Sequence, residues 1–304
     1  MTAVVTASAQ PFGYVSNQMG NTVSVVNRAT NTVSASISIS SAGLAGLAVT
    51  PDGAYVYVAG QQKNNVSVIS TATNTVVKTI AVGQGPAKVA ITPNGAFAYV
   101  LNQTANSVSV INTSTYAVVA TIPVGTRPTG IAVTLDGLRV LVANMLSSNV
   151  SVISTASNTV TATWTALSGA GAVAVSPNSN VAYVANQYAN AITVHDLTSG
   201  AITATITGFL APTSVAITPD GTHAWVTNGN KSTVSVVSLP GGVITATIAV
   251  GSLPTCVAIS ADGLTAYVTN AYGYSLSIIS TATNTVKATM ARIGMYPYSV
   301  ALYK

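Results

Sequence analysis

A four-residue phrase returns at a nearly constant interval along the chain, and that interval constrains the fold more than any single residue does. It reads Tyr14-Val15-Ser16-Asn17, Tyr57-Val58-Ala59-Gly60, Tyr99-Val100-Leu101-Asn102, Leu141-Val142-Ala143-Asn144, Tyr183-Val184-Ala185-Asn186, Trp225-Val226-Thr227-Asn228 and Tyr267-Val268-Thr269-Asn270. The first step is 43 residues and the next five are 42, so seven copies account for almost all of the 304 residues. A period of this size marks an array in which each unit needs its neighbours to bury a core.

Within one unit, short apolar runs separated by turn residues predict four β-strands, a to d. In the third copy these are "KVAIT", "AFAYVLN", "SVSVIN" and "AVVATIPV". Pro93-Asn94-Gly95 turns a into b, as do Pro51-Asp52-Gly53, Pro219-Asp220-Gly221 and Ala261-Asp262-Gly263. Asx-Gly is a strong tight-turn signal. Four strands per unit, seven times over, predict an all-β, seven-bladed β-propeller with four-stranded antiparallel blades. The phrase Val66-Ser67-Val68-Ile69-Ser70, which recurs from Val150 and as a variant from Leu276, reads as packing: both faces of a blade are covered by neighbouring blades, and side chains alternate between them.

The segment Pro297–Tyr303 matches strand a, but no strand b follows it. The first copy has b, c and d only, so the C-terminal strand is expected to complete it and hide the edges of an open array. Val4-Val5-Thr6 is the rival candidate. This gives a single propeller domain over 12–304, after an N-terminal extension over 1–11 whose Ala7-Ser8-Ala9 looks like the end of a signal-peptide cleavage site.

Composition removes several classes. The chain is 49% hydrophobic and 5% charged and has no glutamate, which excludes disorder. Polar or turn residues interrupt every apolar stretch well before the ~20 residues of a membrane span. The net charge of +5 carries no dense basic run, so it does not argue for duplex nucleic acid. The one cysteine, Cys256, precludes an internal disulfide. A charge-poor surface rich in Thr, Ser and Asn, with the Ala7-Ser8-Ala9 triplet, suggests an exported protein (periplasmic, cell-surface or secreted), and a monomer is expected.

The chain resembles the YVTN-repeat β-propeller family, named for the phrase seen best at Tyr267 to Asn270, over essentially all of its length. The resemblance implies the propeller fold. Members include archaeal surface-layer proteins and exported bacterial propellers, one of them a binder of single-stranded DNA, and some relatives carry lactonase names. The family has no universal catalytic residue to carry over.

Candidate function sits where the copies differ. The b–c and d–a connections emerge on one face, on which propellers usually bind ligands. There, Gln84, Lys88, Arg127, Lys63 and Gln103 form a basic, amide-rich sector. Phe209, Leu210, Leu253, Tyr272, Tyr274, Met295, Tyr296 and Tyr298 form an apolar, aromatic one. Gln187 and Tyr188 lie between them, and Lys231 interrupts the pattern. The set Lys63, Lys88, Gln103, Arg127, Gln187, Tyr188, Phe209, Lys231, Tyr272, Tyr296 and Tyr298 suits an amphipathic or anionic ligand: a glycan, a peptide or a single strand stacked on aromatics. The competing reading is that loop residues drift and large side chains cap an apolar rim.

Catalytic constellations are sparse. Asp52, Asp136, Asp220 and Asp262 belong to a–b turns, where the carboxylate caps its own turn. Paired carboxylates or a calcium cage are hard to assemble without glutamate. His195-Asp196 could be an acid–base couple, but His195 and His223 read as structural substitutions towards the opposite face, two histidines without a third ligand make a weak metal proposal, and Trp164 and Trp225 read as packing variants. Cys256 aligns with Lys88, Ser214 and Ser299 around the axis and is expected to be buried and inert. The glycine motifs "GQGPAK" and "GAGAVAV" lack a following helix, so no nucleotide or other cofactor is implied. Three readings stand: a binding module, an enzyme acting in the channel mouth with Lys88 and Arg127 as polar contacts, and a structural spacer.

Overall fold

A computed structural model describes residues 12–177 and 180–303. The proposed rival strand at Val4-Val5-Thr6 and the Ala7-Ser8-Ala9 triplet lie outside the described residues. Seven four-stranded antiparallel sheets follow one another around an axis. The first is built from β1 (Phe12–Asn17), β2 (Thr22–Asn27), β3 (Thr32–Ser38) and the C-terminal β28 (Pro297–Leu302), in the order β28-β1-β2-β3. Each of the others takes four consecutive strands. Their innermost strands are β4 (Leu44–Val49), β8 (Pro86–Ile91), β12 (Pro128–Val133), β16 (Ala170–Val175), β20 (Pro212–Ile217) and β24 (Pro254–Ile259). Each inner strand packs on the next, and β28 touches both β24 and β4, so the ring is closed by the C-terminal strand as the repeat predicted.

The seven apolar clusters lie between adjacent blades. One, for example, joins Tyr99, Val108 and Val110 of the third blade to Val140, Val142 and Ile153 of the fourth. The repeated phrase is more than packing. Its serine hydroxyl accepts a hydrogen bond from the buried asparagine that ends strand b: Asn102 Nδ2 donates to Ser107 and Ser109 at 3.1 and 2.9 Å, and Asn270 to Ser275 and Ser277 at the same distances. In the second blade Gly60 replaces this asparagine. Ser41 fills the vacated space, 2.5 Å from where a Cβ on Gly60 would stand, and contacts Ser67 and Asn65 in its place.

The a–b turns are self-capped as expected, with Asp52, Asp136, Asp220 and Asp262 each accepting from the hydroxyl two residues earlier and from a backbone N–H two residues later. Those bonds hold the carboxyls of Asp136, Asp220 and Asp262 below the usual range.

His195 and Asp196 do not form a couple. His195 is fully buried, donates from Nδ1 to the Gly200 carbonyl at 3.1 Å and accepts at Nε2 from Thr193 Oγ1 at 2.9 Å. The Asp196 carboxylate instead caps the turn at Thr198 and Ser199. Trp164 stacks on the imidazole with ring centroids 5.9 Å apart and lies where a Cβ on Gly200 would stand, so the Trp, the His and the glycine form one compensated packing unit.

Candidate ligand-binding site

Two local devices aim side chains at the upper end of the axis. The first is a β-bulge at the start of the inner strands: the ladder skips the residue after the first proline in β8, β12, β20, β24 and β28, and the corresponding residue of β16. A bulge leaves its extra residue unpaired and re-aims it. Thr129, Gly171, Thr213, Thr255 and Tyr298 therefore line the mouth together with the residues that follow in three of the strands, Lys88, Cys256 and Ser299.

The second device is the residue just before each inner strand, which has a left-handed backbone in every blade. Three blades place Gly43, Gly85 and Gly169 there, with φ of 67°, 67° and 81°. The others place Arg127 (φ 53°), Ala211 (48°), Leu253 (53°) and Tyr296 (59°). This conformation costs a residue with a Cβ about 1–2 kcal/mol. The turn is held by neighbours: the Arg127 N–H donates to Asn106 Oδ1 at 2.8 Å, and its carbonyl accepts from Met145 N at 3.0 Å. The three large exceptions, Arg127, Leu253 and Tyr296, all hang over the mouth.

The result is a cavity of about 260 Å³ lined by Lys88, Gln103, Arg127, Gln187, Tyr296 and Tyr298, together with Met145, Leu253, Cys256 and the bulge threonines. Its basic and aromatic groups meet in one place instead of forming separate sectors. Lys88 is half-buried and makes no hydrogen bond or ion pair with the described residues. Burial pushes its amine below the usual lysine range, while the sulfur of Cys256 acts in the opposite direction. Burial, with Cys256 and Tyr296 nearby, raises the Tyr298 phenol, and Arg127 opposes the shift. The Thr129 hydroxyl is buried without a partner: Ala143 stands where the sixth and seventh blades offer Thr227 and Thr269 to Thr213 and Thr255, at 2.8 and 3.0 Å. No carboxylate lines this cavity, and among the described residues no three His, Cys, Asp or Glu side chains cluster as metal ligands.

Of the residues expected at the site, Lys88, Gln103, Arg127, Gln187, Tyr296 and Tyr298 come together. Phe209 is a correction: it is 6% exposed and packs among Ile206, Val215 and Val237 between the fifth and sixth blades, because the loop folds its ring inward. Lys63 and Lys231 are exposed on b–c loops and do not line the cavity. Tyr188 and Tyr272 form its outer rim, Tyr188 Oη against Met145 Sδ at 3.6 Å and Tyr272 edge-on to Tyr296 at 5.4 Å. Cys256 is also corrected: it is half-buried and faces the mouth, 3.8 Å from Ser299 Oγ. The lining threonines are not singled out by sequence reasoning. Their signal is the Pro-Thr pair that opens three inner strands.

The fold and the cationic mouth define a ring-closed propeller with a pocket at its upper mouth. The family model described as "Lactonase, 7-bladed beta-propeller" matches residues 70–166 and 153–247, together more than half of the chain. The chain belongs to this family. It is similar in structure to hydrazine synthase of Kuenenia stuttgartiensis, with 21% identity, a TM-score of 0.81 and coverage of 93% of this chain and 99% of that one. It is also similar to a functionally unknown protein of Desulfotomaculum acetoxidans, with 17% identity, a TM-score of 0.84 and coverage of 96% and 98%. At these identities the likeness concerns the fold. No curated protein matches the sequence, and no helix among the described residues is long and apolar enough to cross a membrane.

Proposed function

We propose that the upper mouth binds a small anionic ligand, its carboxylate held by Arg127 and Lys88 and its apolar part against Tyr296, Tyr298 and Leu253. The observation that carries this reading is the charge census of the cavity: two cations, no carboxylate, and a lysine with no hydrogen bond or ion pair among the described residues. A desolvated cation without a counter-charge is costly, and an anion from solution relieves that cost. Gln103 and Gln187 supply neutral hydrogen bonds at the rim. A volume of about 260 Å³ admits a small molecule, or the end of a peptide, glycan or strand, but not the body of one. The YVTN-like phrase and the charge-poor surface favour an exported binding protein as the setting.

The test is calorimetric titration with propionate and benzoate against their uncharged amides. Arg127→Ala and Lys88→Met should each weaken acid binding about 10- to 100-fold, the worth of a charge-assisted hydrogen bond. Equal binding of acid and amide, or none of either, would refute the reading.

A second reading, opening of a lactone, is favoured by the family match. In this cavity Lys88 is the side chain suited to polarise the ring carbonyl or to take up a proton, and Arg127 would then hold the carboxylate product. Acid release from small lactones, followed in a pH-stat and lost in Lys88→Met, separates this reading from binding alone.

A further inference from the structure

We propose that Lys88 captures carbonyl groups, taking a short oxo acid whose carboxylate rests on Arg127 and whose aldehyde or ketone carbon condenses with Nζ. The proposal builds on the anion-binding reading above and adds the second functional group of the ligand.

The five lysines of the described residues offer a comparison within one molecule. Lys63, Lys78, Lys231 and Lys287 are exposed, and Lys88 alone is withdrawn into a cavity. It reaches that position because the facing inner strand carries Gly46, where a Cβ would come within 2.8 Å of both Lys88 Cα and Cγ. A glycine there lets the lysine stem cross the strand without making any polar contact for its amine. Surface lysines are protonated at neutral pH, whereas a desolvated amine spends more time neutral, and only the neutral form is a nucleophile.

The depth order of the two cations sets the ligand. Arg127 is exposed at the rim and Lys88 lies deeper, so a bifunctional molecule enters carbonyl first with its carboxylate outward. The chemistry balances without a redox partner. The amine lone pair forms a C–N bond to the carbonyl carbon, whose oxygen takes a proton. A second proton lets the resulting hydroxyl leave as one water molecule, and the nitrogen gives up both of its protons, leaving a neutral C=N. The Tyr298 phenol, kept protonated by burial, and the Ser299 hydroxyl share the cavity as proton carriers.

The experiment treats the intact protein with glyoxylate or pyruvate and cyanoborohydride at pH 7, followed by peptide mass mapping. Reduction converts the imine to a stable secondary amine, so each lysine reports its own reactivity. The Lys88 peptide should be the most heavily modified of the five, because a lowered pKa leaves more free amine at pH 7. The preference should vanish in denatured protein and be suppressed by excess propionate. Modification in proportion to exposure would overturn the proposal. If propionate binds in an Arg127-dependent way but Lys88 is not modified, carbonyl capture fails and the anion site stands. If uncharged propanal labels Lys88 as readily as glyoxylate and propionate neither binds nor protects, the carboxylate reading falls, and the oxo-acid assignment with it.

Discussion

Replacing Arg127 by glycine should make the protein more stable and weaken its hold on an anionic ligand. Arg127 has φ 53°, and the turn cannot relax because Asn106 holds its N–H and Met145 its carbonyl. Removing the Cβ relieves about 1–2 kcal/mol of left-handed strain, and glycine returns about 0.5–1 kcal/mol to the unfolded chain as backbone entropy. The net gain is about 0–1.5 kcal/mol, centred near 0.75, since the exposed guanidinium makes few contacts that would be lost. Arg127→Ala is the matched control: it keeps the Cβ and the strain but removes the charge. Urea denaturation should place the midpoint of Arg127→Gly above both Arg127→Ala and the parent, while propionate binding is weakened about 10- to 100-fold in both variants. If Arg127→Gly is no more stable than Arg127→Ala, strain at this turn does not mark a functional position. If both variants bind propionate like the parent, Arg127 is not a ligand contact.

Two further predictions concern the frame. Burial lowers the pKa of His195, so the unfolded chain holds its proton more tightly than the folded one, and protons favour unfolding. Stability is complete above the unfolded value of about 6.5 and falls as pH drops through it toward the lower folded value. His195→Ile, which restores the repeat residue, should flatten the dependence of urea midpoint on pH between 7.5 and 5.5; an unchanged slope would exclude His195 as its source. Asn102→Ala should cost about 1–3 kcal/mol, as two buried serine hydroxyls lose their donor. A loss under about 0.5 kcal/mol, within the range of ordinary surface substitutions, would show that the strand-b asparagine is replaceable outside the second blade.

The architecture was legible because it is written many times. Each blade repeats the same turn chemistry and alternation, so the strands, the a–b caps and the closing role of Pro297–Leu302 all followed from the phrase. The site was legible only in part. Lys88, Arg127 and Tyr296 stand out as departures from the repeat, whereas Thr129, Thr213 and Thr255 offer only a Pro-Thr pair as a signal, since the bulge that re-aims them is a property of pairing and not of residue type. Phe209 misled for a related reason: a large apolar residue in a loop carries no local signal for whether it caps the rim or turns inward between blades.

By itself the sequence determined the number of blades, the order of strands and the residue types available to each loop, because these depend on local period and turn preference. Tertiary structure decided which of those residues share a space. Closing seven blades into a ring brings Lys88 from the third blade, Arg127 from the fourth, Cys256 from the seventh and Tyr298 from the closing strand to one mouth. They are separated by up to 210 positions along the chain. Their neighbourhood, and the burial that lowers the Lys88 amine and raises the Tyr298 phenol, exists only once the ring is shut.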